Sequence, residues 1–150
     1  MKIGSISLQA PTEADGFLVA AEEAFKGVAA LHKAEPVPLM GLALLCGHSC
    51  ETALKALLAK SGRTADELRQ APFGHNLLKL WESAASIEPT LGSALPSWLV
   101  RLNQIYNRPF HLRYPLGIHG MQYPATEDMF NGTSHIVIVA AESIRRPSDA

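Results

Sequence analysis

Three polar residues, His48, Glu51 and Lys55, stand at i, i+3 and i+7 in the run His48-Ser49-Cys50-Glu51-Thr52-Ala53-Leu54-Lys55, so a helix there carries them on one stripe. Glu51 and Lys55 are an i, i+4 pair in the favourable order, carboxylate first. The plain reading is a surface ion pair with a histidine nearby. The sharper one is a polar cluster lining a groove or an interface. Cys46, His48 and Cys50 together raise the question of a metal, but no second ligand pair accompanies them and both cysteines fall on the apolar stripe, so no metal site is expected. A further histidine, His75, opens a later helix in Gly74-His75-Asn76-Leu77-Leu78-Lys79-Leu80-Trp81, where it can serve as a structural cap or meet Glu51 across a helix pair.

A different chemistry is written between Glu88 and Glu127, where no acidic residue occurs. That stretch holds Arg101, Arg108, His111, Arg113 and His119, with Tyr106, Phe110, Tyr114 and Tyr123 interleaved. Cations beside aromatics suit a phosphate backbone and stacked bases. Arg101, Arg108, His111, Arg113 and Tyr114 are accordingly the candidate binding residues. A histidine near an arginine can also cleave RNA: the imidazole takes the 2′-hydroxyl proton and the guanidinium stabilises charge on the phosphorane. Arg113 and His119, or Arg108 and His111, are the candidates for that role. The plain alternative is a solvated loop whose arginines pair with carboxylates elsewhere.

Helical periodicity dominates the elements that would position these groups. A first helix is predicted from Thr12–Asp15, which supply caps, to about His32, on the stripe Phe17, Leu18, Ala21, Phe25, Val28 and Leu31. Pro36 and Pro38 break it. A second runs from about Leu39 to Lys60 with Ala43, Cys46, Cys50, Ala53, Leu54, Leu57 and Leu58 on one face, and Gly62 caps its end. Thr64 and Glu67 form a capping box for a one- or two-turn helix ending before Pro72. The next helix begins near His75 and is stopped by Pro89, with Leu77, Leu78, Trp81, Ala84 and Ala85 as its stripe. Another opens around Pro96 on Leu95, Trp98, Leu99, Leu102, Ile105 and Tyr106, and ends before Pro109. Residues 109–124, with three prolines and two glycines, are a loop. A last helix spans Thr126 to before Pro147. Its β-branched run Ile136-Val137-Ile138-Val139 would also suit a strand, but the acidic start and Ala140-Ala141-Glu142 favour helix. The expected fold is all-α, an antiparallel bundle of four to five helices in one domain over residues 1–150.

Bulk composition agrees. The 150 residues are 47% hydrophobic and 18% charged, which is enough apolar surface for a packed core and unlike a disordered chain. The formal net charge of -1 excludes a molecule that binds polyanions through its overall charge; attraction to nucleic acid must be local. Two cysteines four residues apart in a helix make no disulfide framework and point to a reducing cytoplasm. No signal peptide is expected, since no long apolar core follows Lys2. The longest apolar run, Val37 to Cys50, is shorter than the ~20 residues of a bilayer span, so no membrane association is expected.

The order of these segments resembles a known family. A helix reading His48-x-x-Glu51-x-x-x-Lys55, a connection through Gly62, and Gly74-His75-x-Leu77-x-x-Leu80 opening the next helix is similar to HEPN domains. Arg113-Tyr114-Pro115 after a helix resembles the Arg-Tyr-Pro segment of several HEPN-type proteins. The resemblance covers about residues 40 to 116. It implies a four- or five-helix bundle, usually a homodimer, without a cofactor. Many members are metal-independent endoribonucleases of toxin–antitoxin and antiphage systems; others are non-catalytic modules beside nucleotidyltransferases. The nuclease members carry Arg-x(4–6)-His in a helix. Here the formal match runs from Arg113 to His119, but Pro115 and Gly117 place it in a loop, and Arg108 and His111 are too close together. The expectation is therefore a HEPN-like module with a degenerate nuclease motif, non-catalytic and binding RNA, a nucleotide or a partner protein of nucleotidyltransferase type. The alternatives are a metal-independent endoribonuclease and a structural protein-interaction domain.

Overall fold

A computed structural model describes residues 3–5 and 12–146. Residues 1–11, whose sequence suggests an extended arm or a short edge strand, fall mostly outside the described residues, and 3–5 form no regular element. Six α-helices follow among the described residues: α1 Glu13–His32, α2 Leu39–Lys60, α3 Ala65–Arg69, α4 Leu77–Ile87, α5 Ser97–Tyr106 and α6 Thr126–Arg145, with a single 3₁₀ turn at Pro89–Leu91. No strand is present among them, and Ile136–Val139 is helical. The expected bundle has four to five helices; the five longer ones and the short α3, itself predicted from the Thr64 cap, make six.

Local chemistry sets the ends. Thr12 and Asp15 cap α1 reciprocally: the Thr12 hydroxyl accepts from the Asp15 amide at 3.1 Å while the Asp15 carboxylate accepts from the Thr12 amide at 3.1 Å. At the end of α2, Gly62 takes φ +112° and donates to the Ala59 carbonyl, while Arg63 donates to the Leu58 carbonyl. This is a Schellman closure that a side chain at position 62 would strain. The start of α4 corrects the sequence expectation. Asn76, not His75, caps it, its carboxamide oxygen accepting from the Leu78 and Lys79 amides. His75 is therefore free of the helix and belongs to the connection before it.

Burial also departs from the simple stripe predicted for α2. Every residue from Ser49 to Leu58 is buried, because α2 packs against α1, α4, α5 and α6 at once. The pattern is that of a central helix, hydrophobic nearly all round. By length and composition it would span a bilayer, contrary to the shorter apolar run counted above, yet 78% of its apolar window lies inside the bundle. One apolar cluster joins all six helices, with Leu18, Leu54, Leu68, Leu77, Leu99 and Met129 among its members.

The two cysteines face α6. Cys46 Sγ lies 3.9 Å from the Met129 carbonyl and Cys50 Sγ 3.5 Å from the Thr133 hydroxyl. Burial pushes the Cys46 thiol up to about 11 and the Cys50 thiol higher still. Both stay protonated, and thus poorly nucleophilic, at neutral pH. Neither thiol is expected to react with Ellman's reagent in the native protein on the time scale on which both react in urea. Rapid reaction of either without denaturant would contradict this packing.

Candidate functional site

Glu51 is the centre of a buried polar cluster built from three elements. Its position on the all-round-buried part of α2 leaves the residue 5% exposed, and Lys55, one turn on, is equally buried. Lys55 Nζ donates to Glu51 Oε2 at 3.1 Å. The other oxygen, Oε1, accepts from the Tyr106 hydroxyl of α5 at 2.9 Å and faces His75 Nδ1 at 2.6 Å. The ion pair is thus buried rather than the surface pair of the plain reading, with both carboxylate oxygens engaged. That is the arrangement in which a charge pair is tolerated in a low-dielectric interior.

Two features place the Tyr106 hydroxyl. The first is Gly47: a Cβ there would collide with the Tyr106 ring, approaching Cγ to 2.7 Å, so only glycine lets the ring lie against the α2 backbone. The second is the apolar stripe of α5, which buries the ring. Burial and the neighbouring carboxylate push the Tyr106 phenol well above its ordinary range, so it remains a neutral donor. Asn103, also buried on α5, accepts from the Leu77 amide at 2.8 Å and so ties α5 to the first turn of α4 beside His75.

His75 connects this cluster to solvent. Its side chain is 40% exposed. The ring stands edge-on to Tyr106 and to Phe110, with centroids 6.3 and 5.4 Å apart. With Glu51 on Nδ1, the opposite ring edge, carrying Nε2, is the one left for solvent. It borders a groove of about 530 Å³ between the α3–α4 connection and the chain after α5, lined by Phe73, Gly74, His75, Asn107, Arg108 and Phe110 among others.

At the rim of that groove Phe110 adopts φ +62°, a left-handed backbone conformation that costs a non-glycine residue about 1–2 kcal/mol. Hydrogen bonds hold it there: its amide donates to the Asn107 carbonyl at 2.8 Å, and its carbonyl accepts from Arg113 and Tyr114 at 2.9 and 2.8 Å. The ring emerges between two guanidinium groups, Arg108 at 6.0 Å and Arg113 at 5.9 Å from its centroid. Among the described residues no carboxylate forms a salt bridge with Arg101, Arg108 or Arg113, so the plain reading of loop arginines paired elsewhere does not describe them.

The predicted residues thus divide. Glu51, Lys55 and His75 meet; His48, though on the predicted stripe, is exposed and outside the cluster. It therefore points away from the two buried thiols, and Cys46, His48 and Cys50 do not converge. Arg108 and Arg113 flank Phe110, but Arg101 borders a separate hollow with Trp98, Tyr123 and Asp128. Tyr114 is exposed beside the rim. His111 is half-buried and its Nδ1 is enclosed without a partner, so that side of the ring is closed to a ligand. His119 lies exposed in the following loop. Sequence reading missed three contributors: Tyr106 as a partner of the carboxylate, Gly47 as its clearance, and Asn103. A signal existed for the last, a polar residue sitting directly beside Leu102 within the strongest apolar pattern of the chain.

Comparison of the chain with protein-family models, with curated proteins and with solved structures finds no match.

Proposed function

We propose that the protein is a HEPN-like antiparallel bundle, acting as a homodimer, that binds single-stranded RNA without cleaving it. The observation that carries the reading is Phe110: an aromatic ring in a strained backbone conformation, emerging between two unpaired arginines beside a groove with no carboxylate on its lining. Backbone strain that the surrounding hydrogen bonds hold in place is a pointer to function. The chemistry matches a sequence-tolerant strand, with a base stacked on Phe110 or Tyr114 and phosphates on Arg108 and Arg113. Non-catalytic binding is the better fit because His111 is half-enclosed and the Arg113–His119 pair lies on an irregular, exposed loop. Such a loop is poorly suited to holding a general base against a phosphorane.

The test separates binding from fold. Phe110→Gly removes the stacking ring and relieves the left-handed strain. Thermal stability should therefore hold or rise, while affinity for a fluorescent single-stranded RNA falls about tenfold, since a stacked base contributes ~1–3 kcal/mol. Arg108→Ala and Arg113→Ala should each weaken binding and flatten its dependence on salt. Unaltered affinity in all three variants would remove this rim from the site. RNA incubated with the protein in EDTA should stay intact; 2′,3′-cyclic phosphate ends that disappear in His119→Ala would instead establish the nuclease alternative.

A further inference from the structure

The groove beside Phe110 has a property that the exposed rim does not share. It sets a half-exposed histidine, backed by a buried carboxylate, opposite an arginine. We infer that it takes the terminal phosphate of a nucleotide, held between Arg108 and the imidazolium form of His75. The inference rests on the RNA-binding reading and adds to it a preference for a phosphorylated end.

Size comes first. A space of about 530 Å³ lies within the ~300–1,000 Å³ of small-molecule sites and suits one nucleotide rather than a continuous strand. Charge comes second. The groups facing His75 are Glu51 with its partner Lys55 from α2, Tyr106 from α5, and Phe110 with the Arg108 and Arg113 that flank it from the following chain. Glu51 is the one carboxylate within hydrogen-bonding reach of the ring among the described residues, and Lys55 already balances it. A protonated His75 therefore leaves one net positive charge in this cluster, at the groove wall, with Arg108 contributing a second. Arg69 also lines the groove but is paired with Asp66 and adds less.

Protonation state supplies the selectivity. When Nδ1 donates to Glu51, Nε2 of the neutral ring is an acceptor and would repel a phosphate oxygen. Only the imidazolium form donates from both nitrogens, one to Glu51 and one to the ligand. A terminal phosphomonoester carries roughly −1.5 to −2 charges at pH 7, against one for a phosphodiester, so it gains most from two cationic donors. An internal phosphate gains less and cannot enter as deeply past its second ester.

The test compares two oligouridine RNAs of the same length, one with a 5′-phosphate and one with a 5′-hydroxyl, both labelled at the 3′ end and titrated with the full chain in fluorescence anisotropy. At pH 6.5 the phosphorylated RNA is expected to bind about tenfold tighter, one charge-assisted hydrogen bond's worth. That preference depends on both groove donors. It should vanish in His75→Gln and in Arg108→Ala, the second being an exposed position whose change leaves the core intact. Equal affinity for the two ends at pH 6.5, with binding still weakened by Phe110→Gly, would overturn the inference and leave the RNA reading standing. Competition by free uridine monophosphate without binding of either RNA would support the groove and overturn the RNA reading. A 5′-phosphate preference that persists in His75→Gln would overturn the part played by His75.

Discussion

Replacing Glu51 by alanine is expected to cost about 3–5 kcal/mol, the largest loss for any single substitution in the cluster. The reason is asymmetry. The intact cluster satisfies one carboxylate with three donors, and its net contribution is small because desolvation offsets the Coulomb gain. Deleting the carboxylate leaves the Lys55 ammonium buried without the acceptor it has in the intact cluster, and leaves the Tyr106 hydroxyl buried without its acceptor. Against a typical total of about 5–15 kcal/mol, such a loss moves the urea midpoint far to the left. Glu51→Gln should cost less, because the carboxamide oxygen still accepts from Tyr106, but Lys55 again goes unbalanced. The informative partner is Glu51→Leu with Lys55→Met, which removes both charges and should recover most of the stability. The double variant would nonetheless lose the 5′-phosphate preference, since His75 then loses the carboxylate that orients its ring. A cost below about 1 kcal/mol for Glu51→Ala would mean the pair is solvated and the cluster is not built as described.

Gly47→Ala should be the next most damaging change, though it adds only one methyl group. The new Cβ would meet the Tyr106 ring, a rigid group backed by the α5 stripe, and cannot be accommodated by a rotamer change. Overpacking of this kind costs about 2–3 kcal/mol, which for a chain of this size lowers the melting temperature by roughly 4–12 °C. The functional consequence follows from the same displacement. As Tyr106 moves, its hydroxyl leaves Glu51, and the His75 ring loses the edge it rests on. Gly132 offers an internal control. Its Cβ would meet Trp98, Nε1 at 2.6 Å among the contacts, but Trp98 is only half-buried and can swing toward solvent. Gly132→Ala is therefore expected to cost less in a calorimetric melt. The reverse order would show that Tyr106 is the more adaptable of the two rings.

Much of the helical frame was legible because its signals are local. The reciprocal Thr12–Asp15 cap, the Gly62 closure, the break at Pro89 and the stop before Pro109 depend on residues a few positions apart. The boundaries of α1 and α2 accordingly match those predicted. The start of α4 shows where such signals compete. His75 and Asn76 are both plausible first residues, and only Asn76 has a side chain short enough to accept from the Leu78 and Lys79 amides.

The sequence by itself determined that the chain is helical, that Glu51 and Lys55 share a stripe, and that cations and aromatics gather after α5. These follow from periodicity and from composition within a short window. Tertiary structure alone decided that α2 lies at the centre, which turned a surface-type ion pair into a buried one. It also decided that His48 is excluded while His75, 24 residues beyond Glu51, and Tyr106, 55 residues beyond it, are drawn in. Periodicity reports which residues share a face of one helix. It cannot report which other helix that face will meet, because that choice is made by packing all of the apolar stripes against one another at once.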